Sequence, residues 1–143
     1  MDKSDILNDM TEMERLKQTL ETYNFTPSRS LGQNFLVDAD TVGRIADTAG
    51  IDGRDVLEIG PGLGALTRAL LARAARVVAV EKDARLAAVL PELCPSERLT
   101  VRCEDFLKTD VLCAMGGNSF SAVGNLPYYV TTPIVEKLLL LLP

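Results

Sequence analysis

The chain has 143 residues, 47% hydrophobic and 24% charged, with 10 Gly, 7 Pro and no His or Trp. A chain of this length hides roughly two-thirds of its unfolded surface in one core, and the composition excludes disordered, collagen-like and disulfide-scaffold classes. The formal net charge of −5 argues against a uniformly basic nucleic-acid-binding surface. The excess is uneven, because Asp2, Asp5, Asp9, Glu12, Glu14 and Glu21 outweigh Lys3, Arg15 and Lys17 at the start of the chain.

The opening residues lack the basic segment and apolar run of a secretory signal. The longest apolar run near the end, Leu138 to Leu142, falls far short of the about 20 residues that span a bilayer. Cys94, Cys103 and Cys113 are odd in number, show no C-x-x-C pairing and have no His beside them, so neither a disulfide framework nor a zinc site is expected. A cytoplasmic, reduced protein with no membrane span and no metal follows, its cysteines acting as small apolar residues.

Ile6, Met10, Met13, Leu16 and Leu20 recur at helical spacing, with Ser4 as the cap and Thr26-Pro27 as the stop. This predicts an acidic amphipathic helix with its linker over residues 1–27, packed on the body or frayed, preceding a main domain over 28–143. After a polar loop from Ser28 to Leu36, Asp38 or Asp40 caps a second helix with the stripe Val42, Ile45, Ala46 and Ala49, ended by Gly50. Strand Val56–Ile59, helix Leu63–Arg73, strand Val77–Val80 and helix Ala84–Leu93 come next, then strands over Leu99–Cys103 and Phe120–Val123. A last helix is expected from Thr132-Pro133, with the proline in its first turn, through Ile134, Val135, Leu138 and Leu139. Continuous apolar strands separated by helices specify a parallel sheet covered on both faces, a doubly wound α/β fold. The pattern stops after the fourth strand and its following helix, which leaves one flank of the sheet without obvious cover.

Gly60, Gly62 and Gly64 fall where the first strand turns into the first helix of that alternation, so the backbone can approach a nucleotide-type cofactor closely. Neither register gives the dehydrogenase G-x-G-x-x-G cleanly: from Gly60 the sixth position is Ala65, from Gly62 it is Thr67. Ala is tolerated at that position, so a nicotinamide-dependent oxidoreductase stays open. Glu58 is a carboxylate inside an apolar strand, which is costly unless a cationic ligand or backbone N–H groups satisfy it. Glu81, with Lys82 beside it, ends the second strand and is placed to accept ribose hydroxyls. At the end of the third, Asp105 offers a carboxylate to an adenine amino group and Phe106 an aromatic wall to the ring.

After the fourth strand comes Asn125-Leu126-Pro127-Tyr128. The N6 amine of adenine is a poor nucleophile, because its lone pair is delocalised into the ring. If the Asn125 side-chain oxygen and the Leu126 carbonyl accept its two hydrogens, the lone pair turns outward and developing positive charge meets fixed dipoles. Pro127 fixes the backbone, and Tyr128 is placed to stack on a base turned out of its helix. Neither a strong base nor a metal is required.

The stretches Leu31-Gly32-Gln33-Asn34-Phe35-Leu36, Glu58 to Gly64 and Asn125 to Tyr129, taken together, resemble the bacterial small-subunit ribosomal RNA dimethyladenosine transferase family (KsgA/RsmA type) from about Ser28 onward. The resemblance implies a Rossmann-like fold, S-adenosyl-L-methionine as cofactor, and N6,N6-dimethylation of two adjacent adenosines near the 3′ end of 16S rRNA in the assembling 30S subunit. A monomer is expected. Cofactor contacts carried over fall on Asn34, Leu36, Gly60, Glu81, Asp105 and Asn125, with Gln33 behind them. Glu58, Gly62, Lys82 and Phe106 complete the cofactor set on the reading of the strand ends, and Asn125, Leu126, Pro127 and Tyr128 form the catalytic turn. Family members run to nearly twice this length, so this stretch is expected to bind cofactor and to be catalytically impaired alone. A ribosome-assembly factor acting by docking would need the same pocket and also stays open.

Overall fold

The computed structural model describes residues 10–28, 35 and 38–142, the Tyr128 side chain excepted. Helix α1 (Glu12–Thr22) starts at a capping box: the Glu14 N–H donates to Thr11 Oγ1 at 3.2 Å and the Thr11 N–H to Glu14 Oε2 at 2.7 Å. This reciprocal cap overrides the apolar spacing that predicts an earlier start. Met10 therefore lies before the helix, and the expected Ser4 cap lies outside the described residues. Helix α2 (Ala39–Thr48) is capped by Asp38, whose Oδ1 accepts the Asp40 N–H at 3.1 Å, and Val42 and Ala46 form its buried edge.

Strands β1 (Asp55–Ile59), β2 (Arg76–Glu81), β3 (Leu99–Cys103) and β4 (Ser121–Gly124) form one parallel sheet in the order β3-β2-β1-β4. Helices α3 (Ala65–Leu71) and α4 (Ala84–Leu93) make the first two crossovers. Alternation along the strands splits the core in two. Val56, Val77 and Ala79 pack with Leu66, Leu70, Leu90 and Val42 on one face. Leu57, Ile59, Val78 and Val80 pack with Phe106, Met115 and Ile134 on the other. The parity puts Glu58 on the same face as Val56, toward α3.

Three elements differ from the sequence expectation. Helix α3 is shorter at both ends, because Gly64 sits at φ +87 and serves as its N-cap rather than an interior residue. The β3–β4 connection, to which the sequence reading assigned no element, holds a 3-10 turn (Phe106–Lys108) capped by Asp105 and a short helix α5 (Val111–Ala114) capped by Asp110. Helix α6 runs Tyr128–Leu139, with Pro127 as N-cap and Pro133 inside it rather than in its first turn. An interior proline costs about 3 kcal/mol in isolation. Burial of Ile134, with Val130 and Leu138 packed on the sheet, offsets that cost.

Gly64 is where α4 comes closest to the β1–α3 turn. A Cβ there would collide with Cys94 Sγ and lie 3.0 Å from Leu90 Cδ1. Left-handed strain and overpacking together predict that Gly64→Ala lowers the urea-unfolding free energy by about 2–4 kcal/mol. Gly53→Ala, at φ +66 with nothing within 4 Å, should cost only about 1 kcal/mol. Removing Cys94 Sγ with Cys94→Ala should recover part of the Gly64→Ala loss, and equal losses at Gly64 and Gly53 would show the close packing to be unimportant.

Candidate functional site at the carboxyl edge of the sheet

The chain builds β1, β2 and β3 outward in one direction and then returns to place β4 on the far side of β1. In open α/β sheets that reversal opens a crevice beyond the carboxyl ends of the strands, and ligands bind there. A pocket lies at this point. Gly60, Pro61 and Gly62 line it from the β1–α3 turn, Glu81 from the tip of β2, and Asn125 and Pro127 from the segment after β4.

Gly60 and Gly62 hold φ values of +68 and +58, open to glycine at little cost. The Gly60 N–H extends the β-ladder to Val80 O at 2.9 Å, and its missing Cβ faces open space. The Gly62 N–H donates to Glu81 Oε2 at 3.0 Å, while Glu81 Oε1 accepts the Asp83 N–H at 3.1 Å. Glu81 is only 7% exposed. Burial raises its pKa, and the backbone N–H donors pull it back.

Glu58 lines the pocket floor and is 1% exposed. The sequence left it a cation or backbone N–H groups; the structure gives it the Thr67 hydroxyl, which donates to Oε2 at 2.6 Å. Burial pushes its pKa up to about 7, opposed mainly by that hydrogen bond.

Lys82, Asp105 and Phe106 sit at the neighbouring strand tips and do not line this pocket. Lys82 Nζ lies 3.6 Å from Asp105 Oδ2, and Asp105 Oδ1 accepts the Leu107 N–H at 3.0 Å. Phe106 is 4% exposed in the second core, with Lys137 Nζ 5.1 Å above its ring. This leaves no open face for the expected aromatic wall: the ring faces the sheet because it starts the 3-10 turn. Leu126 packs against the same core. Gln33, Asn34 and Leu36 lie outside the described residues.

Sequence reading missed two contributors. Glu12, Arg15, Leu16 and Thr19 of α1 line the pocket; their i, i+3, i+4, i+7 spacing marks one helix face, disguised because three of the four are polar. Gly124 was also passed over. A Cβ there would fall 2.8 Å from Ile59 O, so glycine lets the end of β4 close on β1 and delivers Asn125 beside the glycine turn.

A parallel sheet with a glycine turn, a buried acid on the next strand tip and a pocket at the switch point gives the chain a Rossmann-like architecture. Residues 24–141 match the family model described as ribosomal RNA adenine dimethylase. Ribosomal RNA small subunit methyltransferase A of Bacillus licheniformis is 48% identical over 132 residues, covering 87% of this chain and 45% of that protein. Its counterpart in Macrococcus caseolyticus is 46% identical, covering 92% and 47%. The chain thus spans about half the length of these curated relatives. Among solved structures, the 23S rRNA methyltransferase ErmE is 41% identical with a TM-score of 0.63, over 72% of this chain and 41% of that one. A dimethyladenosine transferase from Plasmodium falciparum is 28% identical with a TM-score of 0.65, over 77% and 40%. The chain belongs to the ribosomal RNA adenine dimethylase family.

The raised pKa of Glu58 makes stability depend on pH. Between its ordinary value of 4.5 and about 7 the folded protein holds a proton that the unfolded chain releases, so stability falls as pH rises through that window and levels above it. A shift of this size corresponds to a loss on the order of 3 kcal/mol. Glu58→Gln should remove most of that slope in urea titrations at pH 5 and 7.5; an unchanged slope would place the proton elsewhere.

Proposed function

We propose that this chain is the cofactor-binding part of an S-adenosylmethionine-dependent RNA methyltransferase that acts on adenine N6. The observation that carries the reading is the meeting of Asn125 and Pro127 with Gly60, Gly62 and Glu81 around one pocket. The residues fit the cofactor: the turn presents backbone with no side chain in the way at Gly60. Each Glu81 oxygen accepts one backbone N–H, from Gly62 and from Asp83, and a carboxylate has about four lone-pair sites, so acceptor capacity remains for ribose hydroxyls. When bound, S-adenosylmethionine supplies an activated methyl group on a sulfonium.

The protein's part is then positioning. The Asn125 side-chain oxygen and the Leu126 carbonyl accept the two amine hydrogens, which points the lone pair away from the ring, and fixed dipoles meet the positive charge that develops. Pro127 holds that turn at φ −61 as the cap of α6, and Tyr128, the first residue of α6, is assigned to stacking on the extruded base. Asp105, with Lys82 beside it, is assigned to the adenine end of the cofactor. Gln33, Asn34 and Leu36 are assigned to its contacts from the preceding loop. In the whole protein the substrate is proposed to be two adjacent adenosines near the 3′ end of 16S rRNA, methylated in the cytoplasm by a monomer on the assembling 30S subunit. By itself this portion is proposed to bind cofactor with little or no turnover.

Calorimetric titration of the 143-residue chain tests the cofactor assignment. S-adenosylhomocysteine should bind and NAD should not, and Glu81→Ala should weaken binding at least tenfold through the lost charge-assisted bonds. Binding of NAD alone would replace this reading with an oxidoreductase. In a protein of the relatives' full length, Asn125→Ala should cut methyl transfer about 10²–10³-fold while S-adenosylhomocysteine affinity changes little; unimpaired transfer would remove Asn125 from the chemistry.

A further inference from the structure

Arg68 stands at the pocket wall on α3, and its guanidinium is unevenly used. Nη2 donates to Glu12 Oε2 at 2.7 Å, and Nη1 has only a long contact to Leu63 O at 3.4 Å and to Cys94 Sγ at 3.9 Å. Nε is the one buried side-chain nitrogen or oxygen among the described residues with no hydrogen-bond partner. Nε and Nη2 form the fork that grips a carboxylate with two parallel bonds. Elsewhere the chain completes that fork. Arg73 holds Asp52 through Nε at 2.7 Å and Nη2 at 3.2 Å, and Arg85 holds Asp83 through Nε at 3.1 Å and Nη2 at 2.7 Å. At Arg68, Glu12 engages one prong.

Helix α1 is the other half of the observation. Its face from Glu12 to Thr19 lies over the pocket, yet none of its residues is buried. Its tail is fastened to α4 by three contacts. Tyr23 donates to Glu92 Oε2 at 2.6 Å, Arg85 lies 4.2 Å over the Phe25 ring, and Arg85 Nη1 donates to Thr26 O at 3.2 Å. Its leading end is joined to the body by the Glu12–Arg68 pair, with side chains 18% and 26% exposed. The helix is therefore a strap, anchored at one end and latched ionically at the other.

We propose that Arg68 is the binding residue for the α-carboxylate of the cofactor's amino-acid end, and that Glu12 occupies its place until the cofactor exchanges with it and unlatches α1. This rests on the S-adenosylmethionine reading above. A free carboxylate can take both Nε and Nη2, whereas Glu12, carried on a helix pinned at its far end, takes one. Two carboxylates on one edge of a guanidinium repel each other, so the exchange is competitive.

The test compares S-adenosylhomocysteine with 5′-methylthioadenosine, which keeps the nucleoside and sulfur but lacks the amino-acid group. Calorimetry on the whole chain should show Arg68→Gln weakening S-adenosylhomocysteine tenfold or more while 5′-methylthioadenosine shifts less than twofold. Glu12→Gln, which keeps the capping box and all of α4, should tighten S-adenosylhomocysteine about threefold or more and leave 5′-methylthioadenosine unchanged. Equal losses for both ligands in Arg68→Gln would make Arg68 a structural residue and overturn the proposal, as would weaker S-adenosylhomocysteine binding in Glu12→Gln. If the unaltered chain bound neither ligand, the cofactor reading itself would fail; binding of both with no discrimination in either variant would overturn the Arg68 proposal and leave the cofactor reading standing.

Discussion

The carboxylate of Glu81 joins three elements at the carboxyl edge of the sheet. A buried acid is expensive unless its oxygens are satisfied, and here both are held by backbone: Gly62 on the glycine turn and Asp83 at the head of α4. One group thus ties the tip of β2 to the turn after β1 and to the helix that follows. The chain of contacts continues outward. Asp83 caps α4 through the Arg85 N–H at 2.9 Å and grips the Arg85 guanidinium, which lies over Phe25 at the tail of α1. The position of the strap over the pocket is set from the strand tip, three contacts away.

Close backbone approach is the second constraint, and it is met by omitting atoms. Gly64 lets α4 press on the turn, with Cys94 filling the space, its thiol pushed up to about 11 by burial and so kept as a thiol. Gly124 lets β4 close on Ile59. Between them these glycines bring the β1 turn and the segment carrying Asn125 to one crevice, which neither strand alone would form.

Much of this was legible in the residues. Uninterrupted apolar runs such as Val77 to Val80 specify buried parallel strands, and the bounds of α4 and β3 fall where periodicity puts them, because their caps and breakers are local. The start of α1 and the bounds of α6 were not legible. The Thr11–Glu14 box outweighs an apolar spacing that continues past it, and tertiary packing carries a helix through Pro133. The α/β order implies that the acids share one sheet edge. It does not say which way each ring or carboxylate turns: Phe106 packs into the core at the start of the 3-10 turn, and Glu58 finds a hydroxyl nine residues on, in the first turn of α3. Arg68 carried no sequence signal, since its meaning depends on a helix 56 residues earlier in the chain.

The acids around the pocket also narrow the chemistry. Glu58 is engaged by Thr67 and Glu81 by two peptide N–H groups, and the chain contains no histidine. None of these groups is placed by the fold as a free base beside Asn125. If Asn125 and the Leu126 carbonyl hold the amine as proposed, the groups that meet it are dipoles that do not titrate and need no reorganisation as charge develops. A site of that proposed kind works by alignment, and its demands then fall on the elements that fix Asn125 relative to the glycine turn: the Gly124 approach to Ile59, the Pro127 cap and the Glu81 tie. Under the proposed function, a methyl donor that is already activated asks for little more than that geometry, and no free base beside the amide is needed.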